Sequence, residues 1–205
     1  MLEKVREPTK PIADNLAKRL KWLSPNAITI IGFLLTAIPV FFFCNGKPRL
    51  GGIGILVTFL DFLDGAVARY SKKVSLFGEV LDASLDRIVD ALIIFSIAQG
   101  GFISWSLAFL VLIGFYMVSY IRARTGEATA KKVKLDVGIA QRGERLILIM
   151  LASVLYIDKI TLPVLELELN SLKIIFGVLM FLTWQTAIWR FIMAYKKIKR
   201  LNSDN

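Results

Sequence analysis

Asp61, Asp64, Asp82 and Asp86 stand between strongly apolar flanks, residues 53–60 before them and 91–97 after them. Spacings of three and four put each pair on one face of its own helix. Arg69, Lys72 and Lys73 lie between the pairs, which predicts a hairpin that gathers the carboxylates. Four like charges in one low-dielectric pocket cannot all stay ionised without cations. A divalent metal site accounts for them, and oxygen-only donors favour Mg²⁺, Mn²⁺ or Ca²⁺. The plainer alternative is ion pairing with Arg69 and Arg87. Two arginines do not balance four carboxylates, and Asp90 adds a fifth on the Asp82–Asp86 face.

Other chemistries are excluded by composition. The chain has no histidine, so it holds no imidazole base and no His-ligated zinc. Its single cysteine, Cys44, permits no intrachain disulfide and no cysteine metal cluster. Gly51, Gly52 and Gly54 lack the Lys-Ser/Thr and the preceding strand of a phosphate loop, and close helix packing is the expected use.

The elements that must position the aspartates are membrane helices. Of 205 residues 56% are hydrophobic, and the mean hydropathy is +0.62. A span takes ~20 mostly apolar residues. Six such stretches are expected, at about 26–44, 50–70, 76–99, 102–121, 146–160 (extended backwards by a polar turn) and 171–195. The expected fold is therefore all-α and integral to the membrane, with six transmembrane helices. Residues 1–24 read as an amphipathic juxtamembrane helix with Trp22 at headgroup level, 25–200 as the membrane domain and 201–205 as a tail. Most of the 26 Lys and Arg fall on one side of this topology, which places both termini and the aspartates' approach on the cytoplasmic side. The net charge of +10 then suits anionic lipid or phosphorylated substrates, and nothing resembles a nucleic-acid recognition element.

Five arginines stand at predicted cytoplasmic helix ends: Arg122 and Arg124 after the fourth, Arg142 and Arg145 before the fifth, and Arg190 late in the sixth. Together they would form a pocket for a phosphate on a substrate. Ordinary positive-inside flanking is the alternative. The segment 125–140, with Lys131, Lys132, Lys134 and Asp136, reads either as a flap or as a solvated loop.

The full pattern of Asp61, Asp64, Gly65, Ala68, Arg69, Gly78, Asp82 and Asp86 resembles the signature of the CDP-alcohol phosphotransferase family at all eight fixed positions. Ser24-Pro25-Asn26 with Thr29 extends the resemblance upstream. Members move the phospho-alcohol part of a CDP-linked donor to an acceptor hydroxyl and release CMP. The resemblance implies Asp61, Asp64, Asp82 and Asp86 as ligands of two Mg²⁺ ions (Mn²⁺ is an alternative), with Asp86 also taking the acceptor's proton. It implies a CDP site at Gly65, Ala68, Arg69 and Gly78, with Asn26, Thr29 and Ser75 as further candidates. Ser119, Tyr120, Ala123, Arg124 and the run at 82–87 are similar to the inositol-phosphate branch, whereas Gln141 departs from the Glu expected there. The implied reaction joins a CDP-linked lipid, of diacylglycerol or archaeol, to inositol 1-phosphate. Glycerol 3-phosphate is the alternative acceptor, and a divalent-cation transporter is a more distant reading. The family also implies a homodimer.

Overall fold

A computed structural model describes residues 24–60, 75–130, 132–133, 135, 137–138, 141–162 and 167–203. The predicted juxtamembrane helix and the sites at Asp61, Asp64, Gly65, Ala68 and Arg69 lie outside the described residues.

Several helix starts carry capping residues. Ser24 accepts from Ala27 N–H at 3.2 Å and Pro25 follows it, opening α1 (Pro25–Leu35). The helix stops at Thr36 and resumes as α2 (Ala37–Cys44). Pro39 explains the break, because it offers no N–H to the preceding turn and crowds its carbonyl. A turn through Gly46, at φ 70°, leads to the short α3 (Pro48–Gly54) and a 3₁₀ segment, Ile55–Leu60. Ser75 caps α4 (Leu76–Gln99), accepting from Gly78 N–H at 3.0 Å, and Ser104 caps α5 (Trp105–Ala128). Gln141 and Glu144 form a capping box at the start of α6 (Arg142–Val154). A two-stranded antiparallel ribbon, β1 (Ile160–Leu162) and β2 (Leu167–Leu169), then leads to α7 (Ser171–Ser203). Asn170 joins this end together: its side chain accepts from Lys173 N–H at 2.7 Å and donates to the Phe102 carbonyl at 2.9 Å.

The core is built from the inner faces of α4, α5, α6 and α7, with Phe43 and Ile55 added from the first helices: Ile93, Ile97, Val111, Phe115, Ile149, Leu172, Phe176 and Leu179 are all buried. Helix α5 packs along α7, α1 and α2 pack on α4, and α3 packs on α6. Glycines allow the closest of these approaches. A Cβ at Gly52 would stand 2.7 Å from Ser153 Cβ and 2.9 Å from the Val154 nitrogen, so α3 lies almost on the backbone of α6. Gly52→Val is expected to destabilise by ~1–3 kcal/mol, read as a lowered Tm of the detergent-solubilised protein. An unchanged Tm would show that the two helices can separate at no cost. The outward surface is apolar, with Leu34, Phe41, Phe109, Phe181 and Phe191 exposed, as lipid contact requires.

Among the described residues, three helical stretches are long and apolar enough to cross a membrane: Pro25–Cys44, Trp105–Ala128 and Ser171–Leu201. Helix α4 is equally long at 24 residues but carries Glu79, Asp82, Asp86, Arg87 and Asp90. Three details differ from the expected all-α, six-span pattern. The described part of stretch 50–70 is α3 plus a 3₁₀ segment, because Gly51, Gly52 and Gly54 disfavour a long helix. The fifth stretch is only 13 residues of helix and then the β-ribbon. Helix α7 runs on to Ser203, past the end of the sixth apolar stretch expected at about 195. In the 125–140 segment Val133 and Leu135 are buried beside Val118, Ile121, Ala187 and Ala194, whereas Lys132 is exposed, and Lys131, Lys134 and Asp136 lie outside the described residues.

Candidate active site

Helix α4 presents Asp82, Asp86 and Asp90 four residues apart, and therefore nearly in line along one face. Asp82 and Asp86 are half-buried, while Asp90 is buried at 2% exposure. Arg142 and Arg145 face them from the first turn of α6, which the capping box holds in place. Arg142 Nη1 lies 2.7 Å from Asp86 Oδ1, and its Nε lies 3.5 Å from Asp90 Oδ1. Arg145, 1% exposed, sets Nη2 3.4 Å from Asp90 Oδ2 and donates from Nη1 to the Phe115 carbonyl at 3.3 Å. Its guanidinium carbon also stacks 3.9 Å from the centre of the Phe115 ring. Arg87 Nη2 stands 3.6 Å from Asp86 Oδ2, and the Tyr116 hydroxyl donates to the Arg87 carbonyl at 3.1 Å.

A narrow crevice opens beside Asp86. It is lined by Thr29, Gly32, Phe33, Thr36, Thr58, Leu85, Val89, Asp86 and Arg142, and so joins α1, the 3₁₀ segment, α4 and α6. The same helices bring the upstream motif to α4: a Cβ at Gly78 would lie 3.0 Å from Ser75 Oγ and 3.2 Å from Asn26 Oδ1. Asn26, Ser75 and Gly78 thus form one cluster at the adjoining N-termini of α1 and α4, and Thr29 reaches the Asp86 crevice.

The five arginines separate. Arg142 faces the crevice. Arg145 is sealed behind it by Asp90 and Phe115. Arg190 is buried and donates from Nε to the Val137 carbonyl at 2.8 Å and from Nη1 to the Val118 carbonyl at 2.6 Å, which ties α7 to α5 and to Val137. Arg124 is exposed and bonded to Glu127 at 2.7 Å, and Arg122 is exposed at the same helix end.

Asp82 and Asp86 are hard oxygen donors one helical turn apart, about 6 Å along the axis, and suit one side of a Mg²⁺ or Mn²⁺ site. Asp61 and Asp64, expected to complete it, lie outside the described residues. Within those residues no group of three or more metal-ligating side chains comes together. Sequence reasoning left Asp90 without a role although its four-residue spacing from Asp86 was visible. Phe115 and Tyr116 gave no signal, because a carbonyl acceptor or a ring beneath a cation depends on which face of α5 meets α4.

The chain belongs to the CDP-alcohol phosphatidyltransferase family, which matches residues 22–196. It is a phosphotransferase, and a membrane protein. It is 42% identical over 202 residues to archaetidylinositol phosphate synthase of Pyrococcus horikoshii, covering 97% of this chain and 99% of the relative. It is 30% identical over 154 residues to phosphatidylinositol phosphate synthase of Mycobacteroides abscessus, covering 71% and 68%. The crystal structure of Mycobacterium tuberculosis phosphatidylinositol phosphate synthase in complex with manganese and citrate superposes with a TM-score of 0.72 at 26% identity, covering 91% of this chain and 88% of that one. The same enzyme with CDP-DAG bound shares the fold, with a TM-score of 0.74 at 24% identity over 90% and 94% of the chains.

Proposed function

We propose that this protein transfers the phosphatidyl-type group of a CDP-linked lipid to inositol 1-phosphate and releases CMP. The observation that carries the reading is Asp86, half-buried at the mouth of a crevice between α1 and α4 and held at 2.7 Å by Arg142. The names of the archaeal and mycobacterial relatives support the inositol phosphate acceptor. They leave archaeol and diacylglycerol both in play as the donor lipid.

Asp86 stands where it can accept the proton of the acceptor hydroxyl as that oxygen attacks phosphorus. Arg142, beside it, offers a guanidinium to the acceptor's phosphate, so the hydroxyl and its base are set by one pair of side chains. Arg190 holds the Val137 carbonyl, and Arg145 backs Arg142 through Asp90. Arg122 and Arg124 extend positive charge outward along α5. Asn26, Thr29, Ser75 and Gly78 line the approach for the CDP group, joined in this reading by Gly65, Ala68 and Arg69. Asp61, Asp64, Asp82 and Asp86 would hold two Mg²⁺ ions. When bound, these supply charge neutralisation for the diphosphate. The site opens to the cytoplasm, the chain crosses the membrane six times, and the working unit is a homodimer.

The test is CMP release by purified protein with CDP-archaeol or CDP-diacylglycerol and Mg²⁺, comparing inositol 1-phosphate with glycerol 3-phosphate. Turnover is expected with inositol 1-phosphate, lost in EDTA and restored by Mg²⁺ or Mn²⁺. Turnover with glycerol 3-phosphate alone overturns the acceptor assignment.

A further inference from the structure

Asp90 lies one turn beyond Asp86 on α4, outside the eight-position aspartate pattern, and is 2% exposed. A carboxylate this deep calls for compensation, and its two oxygens are compensated differently. Oδ2 takes a hydrogen bond from Arg145, which is itself fixed by the Phe115 carbonyl and ring. Among the described residues Oδ1 has no hydrogen-bond partner, and it faces Arg142 Nε at 3.5 Å. Arg142 in turn reaches Asp86 through Nη1 at 2.7 Å. A continuous chain therefore runs from Phe115 on α5 through Arg145, Asp90 and Arg142 to Asp86.

We infer that Asp90 is a positioning residue: it holds Arg142 at the height where its guanidinium meets both Asp86 and the acceptor's phosphate. This rests on the reading of Asp86 and Arg142 given above. The physical reason is charge. Arg87, Arg142 and Arg145 converge on Asp86 and Asp90. With Asp90 neutralised, whether or not Arg145 keeps its charge, Arg142 Nε loses the carboxylate that faces it and the guanidinium is no longer held at that height. A pair kept only for packing would need the Arg145–Oδ2 contact alone and would leave Oδ1 no reason to face a second guanidinium. Arg142 is the movable partner, because its side chain is 19% exposed whereas that of Arg145 is 1% exposed.

The experiment measures steady-state CMP release and Tm for Asp90→Asn/Arg145→Met, which removes both buried charges together. It is run beside a cycle of Asp90→Glu, Arg142→Lys and their combination. The charge-balanced double variant is expected to fold, to keep the CDP-lipid KM within about twofold, and to lose at least ~10-fold in kcat/KM for inositol 1-phosphate, as misplacement of a reacting group would cause. In the cycle, the combined variant is expected to lose no more than the worse single one, because both break the same link. Wild-type kinetics in a folded double variant overturns the proposal. If that variant does not fold, losses that multiply in the cycle overturn it. Failure of the underlying reading looks different: the wild-type protein then releases no CMP with inositol 1-phosphate, and this inference falls with it.

Discussion

Asp86→Asn is expected to lower kcat for CMP release by ~10²–10⁴-fold, the usual contribution of a positioned general base. Asn matches Asp in size and keeps one oxygen toward Arg142, but it cannot take a proton at the pH of the assay. The loss should therefore appear in kcat, with the CDP-lipid KM close to wild type. At 1.36 kcal/mol for each factor of ten, it corresponds to roughly 3–5 kcal/mol of transition-state stabilisation. Asp86 is half-buried and its place at the mouth of the crevice is partly open, so the variant should fold and its Tm serves as the control. A kcat within tenfold of wild type would remove Asp86 from the proton-taking role and leave it as a metal ligand or a partner of Arg142 only.

Arg145→Met should give the largest stability effect in the molecule. Arg145 is one of the largest fully buried side chains, and its removal leaves Asp90 with the 3.5 Å contact to Arg142 as its remaining ion pair. Breaking a buried pair from one side costs ~3–5 kcal/mol, because a charge stays behind without its partner. The residual Arg142 contact points to the lower end of that range. For a chain of this size ~3 kcal/mol corresponds to a fall of about 6–12 °C in Tm. Adding Asp90→Asn should recover much of the loss, since a neutral amide beside a Met leaves no buried charge. A single variant that melts with the wild type would mean that water reaches Asp90 and screens it, and the buried-pair account would fail.

The two ends of the site differ in how far they could be read from the sequence. Asp82 and Asp86 were legible because a spacing of four on a helix fixes a shared face whatever packs against it. The use of Gly51, Gly52 and Gly54 in close packing was legible too. The five arginines were legible as a basic surface but not as individuals. Arg142, Arg145 and Arg190 are all near helix ends, yet one faces the crevice, one lies under it and one binds two backbone carbonyls. That division depends on how α6 and α7 rotate about their axes when they pack, which no local pattern encodes.

By itself the sequence determined a basic, helical membrane protein with carboxylates on the helical face of α4 and a family signature that names its chemistry. Those properties follow from spacing, composition and motif, which are read along the chain without knowing how the helices pack. Only the tertiary structure decided that Asp90 is a buried partner of Arg145, that Arg142 bridges two carboxylates of α4, and that Val133 and Leu135 pack into the protein. Nor does hydropathy foretell that α6 ends after 13 residues in a β-ribbon. Each of these contacts joins residues far apart in the chain, 55 positions for Asp90 and Arg145. They are settled by which faces exclude lipid and water together, a choice made when the helices meet.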